Sequence, residues 1–418
     1  MRVIVTGLMA QHPLGGLTWH YAQYVAGLAR LGHDVYYIED TGMWPYALDG
    51  GATGTDFIVD NGHANARYMS EVMPRFGGGE CWSYNCVIDN RWFGLSDAVR
   101  GEVIRTAELL ISVSAPVYHP DDYQHIPYRA FVDTDPVFTQ IKLARGQEDF
   151  RQALTVYNRH FSFGESLSPR VPVTGHTWRP TRQPVVLSEW QPSHAPRDVF
   201  TTVMNWDSYN RVRYQKATFG QKDVEFLRFL DLPSRVAPER LEVAARARRH
   251  VHLPDAVLSH LRFKGWKVVD PNEVCADVDS YREYIQSSKA EWGVAKNGYV
   301  VGQPGWFSDR SACYLASGRP VVVQDTGFSS VLPVGDGVLT FQTMDEAIDG
   351  ICDVTARYEH HRRAAREIAE EYFDSDKVLG RLIDAATASA SDEAAPVITS
   401  GSHAVSAGRP SDDETRHA

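Results

Sequence analysis

Cysteine is scarce and unpatterned. The five present (Cys81, Cys86, Cys275, Cys313, Cys352) are odd in number and lack CxxC spacing, which excludes a disulfide framework or a cysteine-based zinc site as the organising element. No apolar run approaches the roughly 20 residues of a membrane-crossing helix. The opening MRVIVTGLMAQHP meets Gly7, His12 and Pro13 too soon for a secretory h-region, so a cytoplasmic protein with no transmembrane segment is expected. Positive charge is also in deficit: 42 Lys and Arg against 53 Asp and Glu leave a formal −11, which argues against nucleic acid or an anionic membrane surface as partner. Neither a fixed-period repeat nor a GxGxxG fingerprint is present.

What is present fits a soluble α/β protein of more than one domain. With 43% hydrophobic and 11% aromatic residues in 418, there is ample material for two cores. Arg2–Thr6 reads as a strand, GLMAQHPLGG as a glycine-bearing loop, Leu17–Leu31 as a helix stopped by Gly32, and Asp34–Ile38 as a second strand. That is a βαβ unit. Strands of the same parallel type recur at Leu109–Val113 and Arg129–Val132, and ligands of such sheets sit at the carboxyl ends of the strands. The Pro-rich stretch 171–196 marks a connector, after which Phe200–Trp206 starts a second α/β half. The expected division is an N-terminal Rossmann-like domain over 1–178, a connector over 179–197, a second Rossmann-like domain over 198–370, a helix over 371–386 and a disordered tail over 387–418.

The segment GWFSDRSACYLASGRPVVV places Ser308, Asp309, Arg310 and Ser311 at the start of a helix, which aims hydroxyls, backbone N–H groups and a guanidinium at one point. A phosphate-bearing ligand fits that arrangement, with Lys296 or Lys264 as a second cation; capping of the helix by Ser308 or Asp309 is the plainer alternative. Asp325 follows the strand Pro320–Val323 and suits sugar hydroxyls or a turn, and Asn205 follows the first strand of the second half, where it can meet a phosphate. In the N-terminal loop Gly15 and Gly16 allow close approach to a ligand, and His12 is a candidate base for an acceptor hydroxyl. Asp133 and Asp135 in FVDTDPVF are the competing base candidates. HPDDYQH (His119–His125) fits no metal-ligand spacing and is expected to be a solvent-facing loop; no metal site is expected.

The segment SDRSACYLASGRPVVVQDTGF resembles the donor-nucleotide segment of GT-B glycosyltransferases, especially the CgeB-like (glycosyl transferases group 1) branch, and GLMAQHPLGGLTWHYAQYVAGLARLGHDVYYIED resembles the opening of the same superfamily. The resemblance implies two Rossmann-like domains facing across a cleft, with donor mainly on the second, acceptor mainly on the first and a C-terminal helix crossing back. It also implies a sugar moved from a nucleotide-diphosphate donor to a small-molecule or glycan acceptor, without metal and without a tightly bound cofactor; a homodimer is compatible with it. One feature departs from the pattern. Aligning the small-Gly-x-Pro turn puts Gly305 and Cys313 where many retaining members carry glutamates, so the ribose contact passes to another acid, with Asp309 nearest. A sugar-nucleotide epimerase or hydrolase on the same fold, and a non-catalytic scaffold, remain as alternatives.

Overall fold

A computed structural model describes residues 1–46, 61–88, 90–192, 196–247 and 252–388. The tail expected from 387 onward lies, from 389, outside the described residues. The first sheet contains β1 (Arg2–Thr6), β2 (Asp34–Glu39), β3 (Trp82–Cys86), β4 (Arg91–Gly94), β5 (Leu109–Val113), β6 (Tyr128–Asp133), β7 (Arg159–Ser162) and β8 (Trp178–Pro180). Their order is β4-β3-β2-β1-β5-β6-β7-β8, parallel except for the β3–β4 pair. The apolar run of β1 is buried on both faces: Val3 and Val5 enter one core cluster while Ile4 joins Ile38, Leu110 and Phe131 in another. Helices cover both sides, as a parallel sheet requires.

The second half begins with β9 (Phe200–Asn205), crosses the hairpin β10 (Val212–Tyr214) and β11 (Ala217–Phe219), and continues through β12 (Leu241–Arg246), β13 (Lys267–Val269), β14 (Ala290–Gly293), β15 (Val321–Gln324) and β16 (Val338–Phe341). Its six-stranded sheet, β13-β12-β9-β14-β15-β16, is parallel throughout. Trp206, which follows β9, packs against Phe226 in this domain's core. β8 straddles the expected boundary at 178 and belongs to the first sheet.

The helix Gly15–Arg30 fastens the two halves. Trp19 Nε1 donates to the Val278 carbonyl at 2.8 Å, and Gln23 Oε1 accepts from the Val186 backbone N–H at 2.9 Å. The chain returns at its end: Ser375–Thr387 is helical, and Leu379 and Ser375 press so closely on Gly27 that a Cβ there has no room. Gly15 answers a similar demand, because a side chain would collide with the Asp277 carbonyl of the other domain. Gly15→Ala is therefore expected to lower stability by about 1–3 kcal/mol, the usual range for overpacking, and to increase the radius of gyration in small-angle scattering. An unchanged scattering profile and denaturation midpoint would remove this contact as the reason for glycine.

Candidate active site

The carboxyl edges of the two sheets face one another across a cleft of about 370 Å3. β9, β12 and β14 are adjacent, and β9 is where the chain order reverses, the position at which open parallel sheets take ligands. Arg246 ends β12, Asn205 ends β9 and is exposed, Lys296 follows β14, and Lys222 opens a short helix; all four line the cleft. Lys222 has neither a hydrogen bond nor an ion pair among the described residues, and burial, then the nearby Arg310 charge, pushes its ammonium well below the ordinary lysine value. Arg246 donates to Asn272 through Nη2, while its Nε is buried without a partner among the described residues and burial lowers its pKa. The nearby Glu291 and Asp309 carboxylates offset only part of the cost of desolvating Lys222, since they are engaged by Arg310 and His20, and an anion in the cleft removes more of it.

Arg310 is held differently. Its Nε donates to Glu291 Oε1 at 2.5 Å and its Nη1 to the Val203 carbonyl at 2.6 Å. Burial works to release the proton, but the fully buried Glu291 carboxylate outweighs it and raises the guanidinium pKa. The helix Asp309–Ala316 starts beside it, and Ser308 makes no side-chain cap, so the first-turn N–H groups lack that partner. Asp309 lies 3.2 Å from Nδ1 of His20, a residue of the first domain. Burial pushes the Asp309 carboxyl up, and the His20 contact with the Arg310 backbone N–H and charge more than reverses this, holding it well below the usual carboxylate range.

Across the cleft, Asp135 accepts from Lys296 Nζ at 2.8 Å, from Tyr209 OH at 2.5 Å and from Tyr299 OH. Burial raises its pKa, but Lys296 prevails and keeps the carboxyl below its ordinary value. Lys296 also sits over the rings of Phe138, Tyr209 and Tyr299, so both domains and the loop between β9 and β10 clamp one ion pair. Gly16, Ser308, Asp309 and Arg310 are likewise on the cleft wall.

Other expected residues are elsewhere. His12 stacks on Tyr46 with centroids 4.6 Å apart and is not on the cleft wall. Asp133 is buried and accepts from Thr139, Gln140, Ser162 and the Asp135 N–H, which makes it the lock of the loop after β6 and leaves no lone pair for an acceptor proton. Lys264 pairs with Asp231 at 2.7 Å, away from the cleft. Asp325 caps its own turn through the Gly327 N–H and Ser329 Oγ. Ser311 lines a separate cavity of about 20 Å3 behind the helix start, its Oγ buried and unpartnered. Gly15 approaches Asp277 rather than the cleft, and Gly305, at φ +77°, would put a Cβ 2.6 Å from the Ser166 nitrogen. Cys313 is buried, and burial raises its thiol pKa strongly. His119–His125 is not simply solvent-facing: His119 pairs with Asp40 and Tyr123 is buried. Among the described residues no three His, Cys, Asp or Glu side chains gather as metal ligands.

Sequence reading missed Lys222, Arg246 and the His20 contact. The first two are single cations without a motif, and the third joins residues on different domains.

No protein-family model and no curated protein sequence matches the chain. Solved structures do match its fold. An alpha-glucosyltransferase (AGT) in complex with UDP gives a TM-score of 0.56 at 10% identity, over 93% of this chain and 100% of that one. An alpha-glucosyltransferase with UDP and a 13-mer DNA containing an HMU base gives 0.54 at 11% identity, over 93% and 100%. HepE of Anabaena in complex with UDP and glucose gives 0.53 at 10% identity, over 92% and 98%. The chain thus has the GT-B architecture, two Rossmann-like domains about a cleft.

Proposed function

We propose that this chain is a glycosyltransferase that moves a sugar from a nucleotide-diphosphate donor to an acceptor hydroxyl. The observation that carries the reading is Lys222, a cleft-lining ammonium with no ion-pair partner among the described residues, set beside Arg246, Arg310 and a helix start at the carboxyl edge of the second sheet. UDP in the similar structures supports uracil as the base. The GT-B resemblance of the donor segment, and the CgeB-like branch within it, belong to the same proposal.

In this reading the nucleoside diphosphate leaves as the bond between the sugar's anomeric carbon and the phosphate oxygen breaks, the acceptor oxygen bonds to that carbon, and the acceptor's hydroxyl proton passes to the departing phosphate oxygen. Charge grows on the phosphates, and preorganised cations in a site shielded from water stabilise it most in the transition state. Lys222, Arg246 and the first-turn N–H groups of Asp309–Ala316 take that task, which is why the proposal is metal-independent. Asp135, kept ionised and already engaged by three donors, orients sugar hydroxyls instead of accepting a proton. Asp309 is the cleft acid available to the ribose. The −11 charge supports a small or glycan acceptor over nucleic acid.

Calorimetric titration with UDP, GDP and dTDP, without and with magnesium, tests this. UDP is expected to bind in the absence of metal and more tightly than the other two. No binding by any of the three would reject the donor site and leave the scaffold alternative.

A further inference from the structure

A second polar cluster lies at the carboxyl edge of the first sheet, whose loops after β1 and β6 line the cleft. Asp40, which follows β2, is 0% exposed, and a buried carboxylate persists only when its oxygens are satisfied. It accepts from the Asn85 side-chain amide at 3.0 Å and from the His119 backbone N–H at 3.2 Å, and His119 Nδ1 lies 2.9 Å from it. That contact assigns the Nδ1 proton to the bond with Asp40, so Nε2 is left as the imidazole's acceptor, on a side chain 40% exposed. Asn85 Oδ1 is also buried without a partner.

Beside this pair stand large apolar side chains in solvent. Trp44 is 59% exposed, Tyr118 is 56% exposed, and Met43 joins them. Tyr118 is fixed by its N–H bond to the Asp40 carbonyl at 2.7 Å and by an edge contact with the His119 ring at 4.8 Å. Its ring covers Gly42, where φ is +68° and where a Cβ would collide with it, so glycine is required twice over. Trp44 is tied through its carbonyl to Gln11 Nε2 at 2.9 Å, three residues before Leu14, which lines the cleft. An exposed aromatic group next to an oriented imidazole, on the loops after β2 and β5 at the same sheet edge whose β1 and β6 loops line the cleft, has the composition of a binding surface with a flat apolar face and one directed polar contact.

Building on the donor-site reading above, we propose that this surface is the acceptor site and that its occupant is a hydroxyl-bearing molecule with an aromatic ring, such as a phenol or an aryl glycoside. The ring lies against Trp44 and Tyr118, and a hydroxyl donates to His119 Nε2, with Asp40 as the positioning residue.

The test uses the full chain labelled with 5-fluorotryptophan, with Trp44 and Trp306 resonances assigned through Trp44→Phe and Trp306→Phe. UDP is expected to move the signal of Trp306, which lines the cleft. Phenol, phenyl glucoside and naphthyl glucoside, added next, are expected to move Trp44 saturably with at least one of the three. Tyr118→Ala is expected to remove the Trp44 response and keep the UDP response. His119→Asn, whose side-chain amide keeps a donor for Asp40 and has no counterpart of Nε2, is expected to weaken the aryl ligand about tenfold, the effect of one lost hydrogen bond, with an unchanged melting temperature. A Trp44 signal that none of the three moves, or that moves equally in Tyr118→Ala, overturns the acceptor site. An unmoved Trp306 rejects the nucleotide reading instead, and the Trp44 result still decides the aromatic surface.

Discussion

Lys222→Met is expected to weaken UDP binding by about 10–100-fold, the size of one lost charge-assisted hydrogen bond, while raising the melting temperature of the free protein. The two effects have one cause. In the unliganded cleft the ammonium is desolvated, faces Arg310, and has no hydrogen bond or ion pair among the described residues, so methionine removes a burden from the native state. When a diphosphate arrives, the same ammonium becomes its counter-charge, and methionine has nothing to offer.

Proton linkage makes the prediction sharper. The native free protein holds Lys222 below its ordinary pKa, whereas the unfolded chain keeps it near 10.4. Between those values the unfolded state binds more protons, so Lys222 makes stability rise with pH across that window. Phosphate reverses the shift, and UDP binding should take up as much as one proton within the same window. Calorimetry in two buffers of different ionisation enthalpy measures that uptake, and it should vanish in Lys222→Met. An uptake equal in both proteins would place the proton on another group; a melting temperature that falls would mean the ammonium is partnered in solution.

Much of the architecture was legible because local pattern and tertiary environment agree in it. The run Arg2–Thr6, buried on both faces, could belong only to a covered parallel sheet, and Gly32, at φ +83°, ends the following helix as its sequence position suggests. Ser308–Ser311 likewise announced a helix start, which the structure places at the cleft wall. The antiparallel edge strand β4 and the β10–β11 hairpin are short and half exposed, and they carry no periodic signal.

The site was read less completely, since its chemistry depends on which charges are compensated. Lys264 and Lys222 look alike in one dimension, yet one rests on Asp231 and the other has no ion-pair partner among the described residues. Asp133 and Asp135 are two residues apart; one is consumed by its own loop and the other crosses the cleft to Lys296. The Asp40–His119 contact joins residues brought together only because β2 and β5 both flank β1.

Arg310→Met is expected to destabilise the protein by about 3–5 kcal/mol, because it strands the Glu291 carboxylate in the core of the second domain, the usual consequence of removing one member of a buried ion pair. The single variant therefore cannot report on ligand binding. Replacing both residues, Arg310→Met with Glu291→Met, removes the stranded charge, and most of the lost stability should return in urea denaturation. Glu291→Met alone should also be destabilising, since it leaves the guanidinium with only the Val203 carbonyl among its described partners. The folded double variant then separates two roles. If the remaining face of Arg310 meets the diphosphate, UDP affinity falls by about another 10–100-fold even though the fold is restored. If affinity equals that of the unaltered protein, Arg310 is a strut that holds β14 against the helix Asp309–Ala316, and the phosphate charge rests on Lys222, Arg246 and the helix start. A double variant as unstable as Arg310→Met would show that the pair is not coupled, contrary to the 2.5 Å contact between the two side chains.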